Sequence, residues 1–408
     1  MPKSNDWRNA RRLAPDLYWV GESDRRLALF ENLFPLPEGV AYNAYLLTDK
    51  KTALIDTVDA AVTRPFLEKI AALLDGRPLD YVVVNHMEPD HCSCIEELAR
   101  RYPGMKIVGN AKTFRFIRQF YDFDEAVRFH EVKEGGSLPL GSRTLHFTFA
   151  PMVHWPEVML TYEERDGVLF SADAFGSFGA FSGNLFSDET DFERDWMDEA
   201  RRYYTNIVGR YGAQVQALFR KLEGTAVNLI CPAHGLIWRH NLSQILDKYD
   251  LWSRYEPEET GVLIAYASMY GNTEAVMHRI AGGLAERGVK NIRMFDVSKT
   301  HPSYIVAEAF RLSHLVLGSP TYNGGLYFAM ETLLRELRAL NLQNRRVALV
   351  GNGTWSPAAG KEMRRLIEEM KGMEIVGEPF EILSAFKPGQ AEELERLIDA
   401  IAGSLQKV

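Results

Sequence analysis

Apolar positions divide the chain into two stretches of different rhythm. From Leu17 to about Tyr255, short segments rich in Val, Ile, Leu and aromatics end at Gly, Pro, Asn or Asp, at 42–49, 52–58, 79–85, 105–109, 144–151, 167–173 and 226–232. Such runs read as short strands. Between them, residues 60–74 and 92–102 carry helical spacing, which predicts an α/β or α+β domain and excludes a pure β-sandwich. A helix over 241–255 runs into Glu256-Pro257-Glu258-Glu259-Thr260-Gly261, where proline stops the helix and the acidic, polar composition reads as a linker. The expected domains are therefore 1–256 and 257–408. Beyond the linker, strands at 262–268, 291–297, 314–320, 346–352 and 374–377 with 379–383 alternate with helices from about 273, near 303–312, 327–340 and 358–371, and from about 389. That alternation predicts a doubly wound, five-stranded parallel sheet. There is no repeat or low-complexity tract.

Composition narrows the class. At 408 residues, 46% hydrophobic and 25% charged, the chain is an ordinary globular one with room for full cores in two or three domains. Lys plus Arg number 47 against 55 Asp plus Glu, and a net charge of -8 leaves no basic footprint for nucleic acid or anionic lipid. Three cysteines, Cys92, Cys94 and Cys231, do not make a disulfide framework and fit a reducing compartment. The first residues, charged throughout, contain no apolar signal core, and no run of about 18 apolar residues could span a bilayer. The expectation is a cytoplasmic protein with no export signal and no membrane anchor.

Candidate chemistry in the second half lies at three strand ends. The first strand runs into Ser268-Met269-Tyr270-Gly271-Asn272-Thr273 and a helix. Two hydroxyls, an amide, a flexible glycine and the helix N-terminal N–H groups make a phosphate cup. Without the lysine of G-x-x-x-x-G-K-[ST] and without G-x-G-x-x-G, a monophosphate ester fits better than a triphosphate or a pyrophosphate. Ser319-Pro320-Thr321-Tyr322-Asn323-Gly324-Gly325 and Gly351-Asn352-Gly353-Thr354-Trp355-Ser356-Pro357 follow the third and fourth strands. Tyr322 and Trp355 could flank a flat ring, although Trp355 would also suit a subunit interface. Over residues 261–405 the ensemble resembles flavodoxin, which implies strand order 2-1-3-4-5 and FMN at the switch point. By that resemblance the flavin residues are Ser268, Met269, Tyr270, Gly271, Asn272, Thr273, Pro320, Thr321, Tyr322, Asn323, Gly324, Gly325, Asn352, Gly353, Thr354 and Trp355.

The first half carries metal donors. His86-Met87-Glu88-Pro89-Asp90-His91 gives four potential ligands within six residues at a strand end, and His154, Asp173 and His234 recur at other strand ends. The neighbouring thiols read as small buried hydrophobes, not thiolate ligands. His130, His146, His240 and His314 fall outside the pattern and read as structural or surface residues. Trp155 and Tyr204 suit packing around the pocket.

This constellation is similar to the metallo-β-lactamase fold, an αβ/βα sandwich whose hydrolases begin with H-x-H-x-D-H and bind two zinc ions. Here Glu88 replaces the second histidine, adding negative charge and a hard oxygen donor that favours iron. Over its whole length the chain resembles the flavodiiron proteins. That resemblance implies one iron on His86, Glu88 and His154, a second on Asp90, His91 and His234, and Asp173 as the bridge. His91, so close to a helix start, is the donor most able to swing away and yield to water. The resemblance further implies reduction of O2 to water, of NO to N2O, or both, with FMN and two irons as cofactors. Electrons would come from an external rubredoxin or reduced deazaflavin, because no rubredoxin module is fused. The implied assembly is a head-to-tail homodimer or a dimer of such dimers. Two rival readings are a dizinc hydrolase carrying a flavodoxin-like module, which Glu88 disfavours, and a metal-free electron carrier, which the full set of seven donors disfavours.

Overall fold

A computed structural model describes residues 9–122 and 128–406. The chain forms two compact units, one of residues 1–204 with 213–247 and the other of 205–212 with 248–408.

The first unit holds two mixed sheets. One is seven-stranded, in the order Arg11–Ala14, Leu17–Trp19, Tyr45–Thr48, Thr52–Ile55, Tyr81–Val83, Lys106–Gly109 and Phe129–Glu131. The other is six-stranded and runs from Ser137–Pro139 through Thr144–Phe149, Met159–Glu163, Val168–Phe170 and Leu229–Cys231 to Trp238–Arg239. Alternate residues of both sheets, among them Tyr45, Leu47, Ile55 and Val83 from one and Phe147, Met159, Phe170 and Leu229 from the other, share one core. The residues between them on the first sheet, Leu46, Leu54 and Val82, are fully buried as well. Both faces of these strands are therefore covered, which explains why they read as unbroken apolar runs. Helix Thr63–Leu74 buries Phe66, Leu67, Ile70 and Leu74. The αβ/βα architecture expected from the resemblance is the one observed. Helices Met197–Tyr203 and Gly212–Leu222, joined through a π-helical turn at Tyr204–Val208, add to the segments named above.

Three of the four strands that lead into the donor loops have a parallel neighbour; the fourth, Thr144–Phe149, which leads to His154, is antiparallel to both of its own. Thr52–Ile55, Tyr81–Val83 and Lys106–Gly109 run together in one sheet, and Val168–Phe170 runs with Leu229–Cys231 in the other. Their C-terminal ends lie side by side, which is where open α/β sheets gather ligands.

The second unit has the order Ile292–Asp296, Glu259–Tyr266, Leu312–Tyr322, Arg346–Gly353, then a fifth position filled by two pieces, Glu374–Ile375 and Phe380–Leu383. All these pairings are parallel, giving the 2-1-3-4-5 order that the resemblance implied.

The acidic stretch 256–261 is more ordered than its composition suggests. Glu258 takes hydrogen bonds from Trp252 Nε1 at 2.6 Å and Lys248 Nζ at 2.8 Å, and Glu259 already pairs with Leu312 in the sheet. Its acids have specific partners, so the polar run is the start of a strand. The second part of helix Ser243–Ser253 belongs with this unit, and so does the short segment 205–212. Arg210 donates to Ala339 O at 2.8 Å, and the Tyr255 hydroxyl donates to Gly209 O at 2.9 Å while accepting from Asn341 Nδ2 at 3.0 Å. Fully buried Arg345 donates to the carbonyls of Ala309, Tyr255 and Gln343 at 2.7–2.9 Å. The compact unit thus starts earlier in the chain than 257, because tertiary contacts, not the proline, decide its edge.

Candidate metal centre and flavin cleft

The donor loop after Tyr81–Val83 is held by Asp56, whose Oδ1 accepts from Asn85 N at 2.7 Å and His86 N at 3.4 Å. Pro89 opens the short helix Pro89–Cys92 and keeps Glu88 extended at φ -62, ψ 140, so that Glu88 precedes the helix while Asp90 and His91 lie in its first turn. Thr57 then grips His91, its amide and hydroxyl donating to His91 O at 2.8 and 2.9 Å. On the opposite sheet, Ala233 N donates to Ala172 O at 2.7 Å, tying the Asp173 loop to the His234 loop. Gly235 has φ +70, and a Cβ there would stand 2.0 Å from Ser177 Oγ, so only glycine lets the His234 loop close.

All seven sequence-predicted donors are brought together, and all are buried. They fall into two groups. In the first, His86 Nε2 lies 3.2 Å from both Glu88 Oε2 and Asp173 Oδ2, and His154 Nε2 lies 3.1 and 3.0 Å from the same two oxygens. In the second, His91 Nε2 is 3.1 Å from Asp173 Oδ1, and His234 Nε2 is 3.2 Å from Asp90 Oδ2 and 3.6 Å from Asp173 Oδ1. Asp173 therefore presents one oxygen to each group. His91 points inward with the others; Thr57 anchors its backbone, and its ring is fully buried.

The electrostatics ask for positive charge. Burial works against ionising His86, His91, His154, Glu88 and Asp173, yet the neighbouring carboxylates outweigh it at the three histidines. His86 is raised well above the usual range by Asp173, Glu157 and Glu88, and His91 and His154 are each raised to about 9. Conversely, the facing imidazoles outweigh burial at Glu88 and Asp173 and hold both well below the usual carboxylate range. Asp90 Oδ1 and Oδ2, Asp173 Oδ2 and His234 Nε2 are buried without a hydrogen bond. Close approach without hydrogen-bond geometry is what lone pairs aimed at a common point produce, and such a donor set fits a pair of metal cations.

Besides Asp56, sequence reasoning missed two further acids. Glu157 is buried, and its Oε1 takes His86 Nδ1 at 2.8 Å and Met87 N at 2.9 Å. Glu31 sits on the turn between Leu29–Phe30 and Phe34–Pro35, and burial together with a hydrogen bond to Glu88 pushes it up to about 8. Only the acid just after His154-Trp155-Pro156 offered a signal for the first; the second had none. The aromatic lining is partly as expected. Trp155 meets His86 edge-on at 5.2 Å, and Tyr203, which the sequence did not single out, packs against His234 at 5.5 Å, while Tyr204 is fully buried. The cysteines are buried thiols: burial pushes Cys92 up to about 12 and raises Cys94 and Cys231 too.

In the second unit, the three expected loops line one cleft of about 420 Å³. Fourteen of the sixteen expected residues line it; Gly271 and Gly325 do not, and Ser356 and Ser384 are added. Gly271 instead supplies the turn, with φ +85 before helix Asn272–Glu286. Ser268 Oγ accepts from Gly271 N at 3.1 Å and Glu274 N at 3.3 Å, which leaves its hydroxyl proton and the first helical amides for an anion. Thr273 is nearly buried, its Oγ1 accepting from Asn352 Nδ2 at 3.2 Å, so the phosphate loop and the fourth-strand loop are locked together. Tyr270 and Trp355 are 90% and 91% exposed, apolar faces poised at the cleft mouth. The phosphate-sized cup beside a wide aromatic-edged mouth fits a flavin mononucleotide.

The fold and these two sites define a class: a metallo-β-lactamase-like unit with a two-metal donor set, joined to a flavodoxin-like unit. Family models agree, the β-lactamase model of the ODP family matching residues 40–235 and the flavodoxin model matching 264–397. The chain is 34% identical to the anaerobic nitric oxide reductase flavorubredoxin of Aeromonas hydrophila, over 84% of this chain and 70% of that one. Among solved structures it is similar to rubredoxin oxygen:oxidoreductase from Desulfovibrio gigas, with 29% identity, TM-score 0.92 and coverage of 98% and 99% of the two chains. It is also similar to the flavodiiron protein from Giardia intestinalis, with 25% identity, TM-score 0.88 and coverage of 98% and 96%. This chain belongs to the flavodiiron proteins.

Proposed function

We propose that the protein reduces O2 to water, NO to N2O, or both, at a non-haem di-iron centre fed by FMN. The observation that carries this reading is Asp173, whose two oxygens each face a separate trio of two histidines and one carboxylate. His86, Glu88 and His154 would hold one iron, Asp90, His91 and His234 the other, with Asp173 bridging. Glu88 supports iron over zinc, since a hard carboxylate oxygen stands where the zinc hydrolases of this fold carry imidazole. When bound, the flavin gathers electrons and the irons bind the gas and deliver electrons to it.

The chain's own contribution is positional. Buried donors keep bulk water away, Asp56 and Thr57 fix the donor loop, and Ser268 with the first helical amides holds the phosphate end of the flavin. The relatives' names support both gases, one naming nitric oxide and the other oxygen, and both name rubredoxin. An external rubredoxin or reduced deazaflavin is the proposed donor. No helix among the described residues is long and apolar enough to cross a membrane, and the proposed location is the cytoplasm. The proposed assembly is a head-to-tail homodimer, or a dimer of such dimers, in which each flavin serves the partner's irons.

The test is Glu88→His. The expected outcome is zinc in place of iron, with gas reduction lost and flavin reduction unchanged; wild-type turnover in that variant would refute the role of the carboxylate. Mixing a Glu88→Ala chain with an Asn272→Ala/Thr273→Ala chain tests assembly, recovery of activity in the heterodimer being the expected result.

A further inference from the structure

By first-coordination count the two metal positions are equivalent, each having two histidines, one terminal carboxylate and one oxygen of Asp173. What lies behind the histidines is not equivalent. His86 Nδ1 is 2.8 Å from Glu157 Oε1, a carboxylate oxygen that also accepts Met87 N at 2.9 Å, and Glu157 is 1% exposed. His234 Nδ1 donates to a neutral acceptor, the peptide oxygen of Ala41, at 2.8 Å. His91 Nδ1 is buried with no hydrogen-bond partner.

Resting on the di-iron reading above, we propose that Glu157 is a positioning residue that makes the two irons unequal: the iron on His86, Glu88 and His154 is held more tightly than the iron on Asp90, His91 and His234. A carboxylate at Nδ1 fixes the proton there, aims the Nε2 lone pair at the metal and increases the basicity of the ring. A peptide oxygen does the first two with less charge, and a bare Nδ1 does none. Glu157 is itself held in register, because Asn110 Nδ2 donates to its backbone oxygen at 2.6 Å while Asn110 caps helix Ala111–Phe120. Asn110 thus anchors the Glu157 main chain, and Met87 N holds its Oε1 beside the His86 ring.

The experiment is a chelator challenge of the reduced, iron-loaded, FMN-replete protein, with iron loss followed by colour and by Mössbauer spectra of 57Fe. Wild type should lose iron in two phases. Glu157→Gln, which keeps an acceptor oxygen but removes the charge, should speed the slow phase about 10- to 100-fold, the usual cost of losing such an outer partner, and leave the fast phase and the flavin content unchanged. Single-position backgrounds identify the phases: the variant should accelerate loss from a His234→Ala chain and not from a His154→Ala chain. If the Gln chain does not reach the wild-type fold, Glu157→Asp is read instead, with a smaller acceleration expected. A single phase in wild type, or an unchanged slow phase in the variant, overturns the proposal. A protein that takes up no iron under any condition overturns the di-iron reading instead.

Discussion

The metal pocket and the flavin cleft solve opposite problems. In the pocket, three carboxylates and four histidines are buried together, and the carboxylates pull His86, His91 and His154 upward. The cleft is finished without a guest: its loops hydrogen-bond one another through Ser268, Thr273 and Asn352, and its aromatics stand in solvent. A pocket that crowds buried carboxylates against imidazoles is built for a cation, whereas the cleft is shaped by loops that satisfy one another.

The largest effect expected from that contrast is at Asp173. Asp173→Ala removes the one side chain common to both donor groups, and iron per chain should fall toward zero with turnover down by more than about 100-fold, beyond the loss typical of an outer partner. Flavin content, measured on the same sample, should not change. A coupled loss of flavin would break the comparison.

Smaller effects are expected at the cleft. Trp355→Ala removes a ring face of about 0.5–1.5 kcal/mol, which weakens FMN by about twofold to tenfold in a fluorescence titration. Iron content should stay at the wild-type value. An unchanged flavin affinity would assign the exposed ring to contact with another protein.

The smallest effect belongs to the far end of the flavodoxin-like sheet, where His314 is lowered to about 4 by burial and by Arg346. Its ring is flanked by Ser313 Oγ at 2.8 Å and Ser404 Oγ at 2.9 Å. Because the folded value lies below the unfolded one of about 6.5, the unfolded chain binds the extra proton. Stability from this site is therefore complete above pH 6.5 and is lost as pH falls toward 4. His314→Gln should flatten that part of the unfolding profile while leaving both cofactor sites unchanged.

Much of this was legible in the residues. The seven donors and the three flavin loops stand at strand ends that apolar runs mark plainly, and a donor such as Asp173 gains meaning only from its order among the others. The outer partners were not legible. Glu157 reaches His86 across 71 positions and Asp56 reaches Asn85 across 29, distances over which no local pattern operates. The 256–261 stretch misled for the same reason: acids that look solvated in sequence find Trp252, Lys248 and Arg311 only in the fold. Glu31, on an exposed turn, carried no sign that it leans on Glu88.

The segment 205–212 has a bearing on how such a protein can be taken apart or assembled by recombination. Because those eight residues belong to the flavodoxin-like unit while the chain on either side belongs to the other, the backbone crosses between the units three times, near 204, 212 and 247. The flavin unit is thus not a detachable cassette. A cut at 257 would strip away Arg210 and Tyr255, leaving Ala339 O without its donor and Arg345 without one of its carbonyls. A graft intended to carry the flavin unit onto another oxidase must bring this inserted strip with it, or replace the contacts that it supplies.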